Sequence, residues 1–125
     1  MTKLKVALIG NGGICRGSHI KNYYEDERVE VVAFCDIIEE RAIKLRDEYY
    51  PNAAVYTDYK ELLKDESIDA VDICTPNYLH SIIAVDAFKA GKHVLCEKPD
   101  AIDVTEVLKM KNAADEAGKV LMVIR

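Results

Sequence analysis

The chain has 125 residues, 50% of them apolar and 31% charged, which suits one globular domain with a buried core and excludes a disordered tail or a fibre. Its 17 basic and 22 acidic side chains leave a net charge of -5, whereas a nucleic-acid partner requires a basic face. The longest unbroken apolar runs, Val31 to Cys35 and Val120 to Ile124, have five residues, and a membrane span needs about 18; neither nucleic acid nor membrane is expected as a partner.

Taken in order, short apolar runs alternate with longer amphipathic ones. Lys5 to Ile9 reads as a strand covered on both faces, and residues 14–24 read as a helix. Val29 to Cys35 is a second strand. Ile38, Ala42, Leu45 and Tyr49 form one apolar helical stripe, broken by Pro51-Asn52. Ala53 to Tyr56 is a short third strand, and Asp58 with Glu61 is a capping-box pattern that opens a brief helix through Leu63. Ala70 to Cys74 is the fourth strand, and residues 78–90 form a helix that Gly91 ends in a left-handed turn. His93 to Cys96 is the fifth strand. Asp103 with Glu106 opens a helix that runs to Gly118, and Val120 to Ile124 is the sixth strand. This alternation predicts an α/β fold, a doubly wound parallel six-stranded sheet with helices on both faces.

Cys15, Cys35, Cys74 and Cys96 are widely separated, with no C-x-x-C and no metal-finger spacing. No metal site or disulfide framework is expected, and Cys35, Cys74 and Cys96 read as small buried filler in strands. The chain opens without a signal-peptide core, which predicts a cytoplasmic protein with reduced thiols. It stops at Arg125, directly after an apolar strand, so a fragment of a longer protein is expected.

Gly10-Asn11-Gly12-Gly13-Ile14-Cys15 lies between the first strand and the first helix, the context that a dinucleotide-binding turn requires. Gly10 allows the tight turn, Gly12 lets the backbone approach a pyrophosphate, and the helix start offers free N–H groups. Cys15 stands where Gly or Ala is usual. Asp36 ends the second strand, 24 residues past Gly12. A carboxylate there can accept both hydroxyl hydrogens of an adenosine ribose, which the glycine turn favours over its alternative, a cap on the following helix. Ile37 and Ile38 follow in place of a basic residue, so NAD is favoured; Arg41, one turn on, leaves NADP open.

Ligands of such sheets bind outside the carboxyl ends of the strands. The fourth strand ends in Thr75-Pro76-Asn77, with His80 one turn into the next helix, and the fifth ends in Glu97-Lys98-Pro99. Thr75 and Asn77 could be turn residues, His80 a half-buried helix residue, and Glu97-Lys98 a solvated pair. Beside a cofactor, Lys98 could instead hydrogen-bond a substrate hydroxyl, its pKa lowered by burial and by an oxidised nicotinamide.

Together, Val6 to Ile14, Phe34-Cys35-Asp36, Val71 to Asn77 with His80, and Gly91 to Pro99 resemble the N-terminal domain of the Gfo/Idh/MocA oxidoreductase family over the whole 125 residues. The resemblance implies a Rossmann domain of an NAD(P)-dependent enzyme that transfers hydride at a secondary alcohol of a sugar, cyclitol or similar polyol. It implies that Lys98 sits by nicotinamide and substrate. It also implies that Thr75, Pro76, Asn77, Glu97 and Lys98 line the nicotinamide half of the site. Asp100 departs from the family, which usually has an apolar residue there. The family's second, α+β domain is absent, and with it most substrate contacts, the acid/base residues and the oligomer interface. The full-length protein is therefore expected to be a homo-oligomer, and this fragment to bind cofactor without turnover.

Two other classes fit part of the pattern. A non-catalytic module that senses a dinucleotide would need the glycine turn but not Lys98. A methyltransferase using S-adenosylmethionine also has a glycine turn and an acid after its second strand, but has no use for Glu97-Lys98-Pro99.

Overall fold

The computed structural model describes residues 3–12, 19–75, 80–97 and 104–124. Strands β1 (Leu4–Ile9), β2 (Val29–Cys35), β3 (Ala54–Tyr56), β4 (Ala70–Ile73), β5 (His93–Glu97) and β6 (Leu121–Ile124) alternate with helices. These are α1 (Ile20–Glu25), α2 (Glu39–Tyr49), α3 (Tyr59–Leu62), α4 (His80–Lys89) and α5 (Val104–Ala117). The six strands form one parallel sheet in the order β3-β2-β1-β4-β5-β6. The chain winds outward from β1 to β3, then returns to the far side of β1 and winds the other way. Hence β1 and β4 are neighbours, with Ile9 opposite Ile73, and the carboxyl edge between them is the topological switch point.

Along β1, Val6 and Leu8 face one core and Ala7 and Ile9 the other, which is why Val6 to Ile9 is apolar without interruption. One core gathers Ile20, Ala42 and Leu45 of α1 and α2 around Leu8 and Phe34. The other gathers Leu62, Ile83, Phe88 and Met110 of α3, α4 and α5 around Ala7, Ile73 and Cys96. Burial of one such large side chain stabilises the fold by about 1.5–3 kcal/mol. In β2 the register shifts between Val6 and Ala7 of its partner: Val6 lies opposite Val31, but Ala7 lies opposite Ala33. The extra residue, Val32, rephases the strand, so that Val31 and Phe34 share a face although three positions apart.

The element ends follow local chemistry. Gly91 has φ +81, and the Lys92 N–H donates to the Ala87 carbonyl at 3.0 Å, closing α4 with a left-handed cap as expected. Asp58 caps α3 by accepting from the Lys60 N–H at 2.9 Å, while Glu61 turns to Lys64 at 2.9 Å instead of completing the box. The α2 stripe is shorter than its pattern. Ala42 and Leu45 are buried, but Ile38 has extended backbone, precedes the helix and is 40% exposed. The expected helix at 14–24 is described from Ile20, and His19 before it already has helical backbone at φ -60, ψ -50. The Asp103 half of the second capping pattern lies outside the described residues.

Candidate functional site

Gly10 leaves β1 with φ +90, a region that side chains rarely adopt. A Cβ added there would stand 2.8 Å from the Cys74 carbonyl carbon and 2.9 Å from the Thr75 nitrogen. The turn therefore packs directly on the end of β4, and only glycine fits. Its N–H donates to the Cys35 carbonyl at 2.7 Å, which holds the same turn against the end of β2. Gly12 differs: a Cβ there would meet nothing within 4 Å among the described residues. One side of the turn is wedged between two strand ends, and on the other no described residue crowds Gly12.

Asp36 follows β2 and is buried. Its carboxylate faces the glycine turn, with Oδ2 accepting the Asn11 N–H at 2.8 Å and Oδ1 accepting the Ile38 N–H at 2.9 Å. It thus ties the turn to the segment before α2 but does not cap that helix, whose N-cap is Ile38 and which has no side-chain cap. A carboxylate offers about four acceptor positions, and these two N–H groups occupy two of them among the described residues. Asn11 has its side chain buried, with Nδ2 donating to the Leu8 carbonyl at 3.4 Å. It supports the turn from beneath. Ile37 projects beside Asp36 at 89% exposure, an apolar platform at the edge of the site.

Because all strands are parallel, the ends of β4 and β5 lie on the same edge as Gly10 and Asp36. Thr75 follows Cys74 against the glycine turn, His80 is the first residue of α4, and Glu97 is the last of β5. Cys96 pairs with Ile73, which brings the end of β5 level with that of β4. Gly13, Ile14, Pro76, Asn77 and Lys98 lie outside the described residues.

The cysteines divide. Cys35 and Cys96 are buried filler as expected, and burial, with Asp36 and Asp58 nearby, pushes the Cys35 thiol up to about 12. Cys74 is only half-buried and joins a polar cluster that spacing did not reveal. Its Sγ lies 3.5 Å from His19 Nδ1 and 3.6 Å from Asp72 Oδ1, while Asp72 Oδ2 is 2.6 Å from His19 Nδ1 and accepts from the Tyr23 hydroxyl at 2.7 Å. Asp72 is wholly buried in a central strand. The available signal was that carboxylate inside an apolar run, because a buried charge must find donors.

A family model described as an oxidoreductase family with an NAD-binding Rossmann fold, GFO_IDH_MocA, matches residues 4–125. The chain belongs to this family.

Its relatives in the Gfo/Idh/MocA family include D-glucoside 3-dehydrogenase of Escherichia coli, 36% identical over 118 residues, a match that takes in 94% of this chain and 33% of that protein. Inositol 2-dehydrogenase of Salmonella typhimurium is 35% identical over 122 residues, or 97% of this chain and 36% of the relative. Among solved structures, a 3-ketoreductase from Actinomadura kijaniata in complex with NADP superposes with a TM-score of 0.91 at 28% identity, covering 98% of this chain and 38% of that one. The chain spans about a third of the length of the curated relatives it matches. No helix among the described residues is long and apolar enough to cross a membrane.

Proposed function

We propose that residues 1–125 are the cofactor-binding domain of a longer NAD-dependent dehydrogenase that acts on a secondary alcohol of a sugar, cyclitol or similar polyol. The observation that carries this reading is the Asp36 carboxylate, turned toward the glycine turn with two of its acceptor positions unoccupied among the described residues. These accept the 2′- and 3′-hydroxyls of the adenosine ribose. The backbone from Gly10 through Asn11, Gly12 and Gly13 to Ile14 receives the pyrophosphate on the open side of Gly12. Ile37 covers the adenine. A 2′-phosphate beside Asp36 would meet a repulsion of about 4 kcal/mol per unit charge before screening, so NAD is preferred; exposed Arg41 leaves a weaker route for NADP.

The nicotinamide, when bound, supplies the hydride acceptor. In this reading the Thr75-Pro76-Asn77 segment, His80 and Glu97 serve the nicotinamide half of the site, as the family resemblance implies. Lys98 donates a hydrogen bond to the reacting hydroxyl and fixes it for transfer, a positioning role that lowers the barrier chiefly by orientation. The remaining domain supplies the base that takes the hydroxyl proton, most substrate contacts and the surface through which the protein forms a homo-oligomer in the cytoplasm. The relatives' names, a glucoside and an inositol dehydrogenase, support the polyol class. Family membership sets aside the methyltransferase alternative.

Calorimetric titration of Asp36→Ala with NAD and with NADP tests the reading. NAD affinity is expected to fall at least ~10-fold, the equivalent of 1.4 kcal/mol, and NADP affinity to change less. Unchanged NAD affinity defeats the assignment. The 125-residue chain alone should bind NAD without oxidising polyols; appreciable turnover would show that the acid/base group lies within it.

A further inference from the structure

We propose that His19, Asp72 and Cys74 form a binding site for a thiophilic divalent cation, zinc above all, which clamps the start of α1 to the end of β4. The three residues come from positions that no metal motif links. Asp72 sits in the central strand β4, Cys74 directly follows it with its N–H bonded to the Ile9 carbonyl at 2.8 Å, and His19 precedes α1. Each offers one donor atom, and the three atoms lie within 4.8 Å of one another.

The geometry suits a small tetrahedral ion. Bonds of about 2.0 Å to nitrogen and oxygen and 2.3 Å to sulfur put the donor atoms roughly 3.3–3.6 Å apart. Cys74 Sγ already stands 3.5 Å from His19 Nδ1 and 3.6 Å from Asp72 Oδ1. The 2.6 Å contact between Nδ1 and Asp72 Oδ2 is the hydrogen bond that the ion replaces, with Oδ1 taking over as ligand. The Tyr23 hydroxyl on Oδ2 then orients the carboxylate from behind, the outer support that metal ligands commonly have. A thiolate and a carboxylate together carry two negative charges, which neutralise the dication where Asp72 is fully buried and His19 is 7% exposed. Sulfur and imidazole select zinc over magnesium or calcium, which prefer oxygen.

Binding is a balanced exchange. The ion takes the Cys74 sulfur as thiolate and releases its proton to solvent. It takes the Nδ1 lone pair of a neutral His19, whose proton moves to Nε2; if His19 starts as imidazolium, a second proton leaves. Affinity therefore rises at least ~10-fold per pH unit below the thiol pKa.

The test is titration of the 125-residue chain with cobalt(II), followed by displacement with zinc. One equivalent of cobalt should produce a sulfur-to-metal charge-transfer band that zinc removes. Cys74→Ser should abolish the band and Cys35→Ser should keep it. Tyr23→Phe, which leaves all three ligands in place, should weaken binding ~10–100-fold. Zinc should raise the Tm of the parent chain, reversibly with chelator, and leave that of Cys74→Ser unmoved; circular dichroism without metal confirms that this variant folds. No band at one equivalent, or a band that survives in folded Cys74→Ser, overturns the proposal. Neither outcome bears on the dinucleotide reading, because NAD affinity is measured separately on metal-free protein.

Discussion

Gly10 and Gly12 stand two positions apart in one turn, and the structure assigns them opposite sensitivities to a single methyl group. In Gly10→Ala the backbone stays at φ +90, which costs an L-residue about 1–2 kcal/mol. The new Cβ would also stand 2.8 Å from the Cys74 carbonyl carbon, backbone that cannot swing aside. Overpacking of that kind costs about 1–3 kcal/mol. The total, ~2–5 kcal/mol, is a large share of the 5–15 kcal/mol typical of a whole domain. In Gly12→Ala neither term applies, since φ is not positive and no described atom lies within 4 Å of the added carbon. Its stability should stay within about 0.5 kcal/mol of the parent. Urea unfolding followed by circular dichroism measures both, and calorimetry then measures NAD binding by the stable variant. Gly12→Ala should lose at least ~10-fold in NAD affinity, because its methyl occupies the side from which the pyrophosphate approaches. A Gly10→Ala protein as stable as the parent would refute the close packing of the turn on the end of β4. A Gly12→Ala protein that binds NAD normally would refute the placement of the pyrophosphate.

Two further outcomes follow from single residues. The Cys35 thiol, pushed up to about 12 by burial, ionises in the unfolded chain near pH 9 but not in the folded one. The unfolded state then holds fewer protons, so this contribution is complete below pH 9 and is lost as pH rises from 9 toward 12. Alkaline unfolding of Cys35→Ala should show a shallower decline than the parent, and an identical slope would contradict the shift. Gly91→Ala keeps φ +81 with nothing among the described residues within 4 Å of the added carbon, so it should cost only the conformational strain, about 1–2 kcal/mol. A larger loss in urea unfolding would mean a packing role for Gly91 that its open surroundings do not suggest.

Most of the architecture was legible because it rests on local periodicity. Unbroken apolar runs such as Val6 to Ile9 mark strands with two covered faces, and Gly91 marks a helix end. The glycine turn, Asp36 and the family resemblance were legible for the same reason, being short patterns with a fixed place between strand and helix. Ile38 continues the apolar stripe yet lies before α2, because helical spacing does not reveal where the first helical residue falls. The cluster of His19, Tyr23, Asp72 and Cys74 was not legible, since His19 and Tyr23 meet Asp72 across 53 and 49 positions.

The sequence by itself determined the alternation of strand and helix, hence a parallel sheet with helices on both faces, and the chemistry available at its carboxyl edge. Tertiary structure alone decided where that chemistry points. The bulge at Val32 rephases β2, and Asp36 beyond it meets the Asn11 N–H; the switch of winding between β3 and β4 presses Gly10 onto Cys74 and sets Asp72 against α1. The physical reason is that periodicity is a property of neighbours along the chain. Register, crossover and the partners of a buried carboxylate depend on which distant segments close upon one another when the core forms.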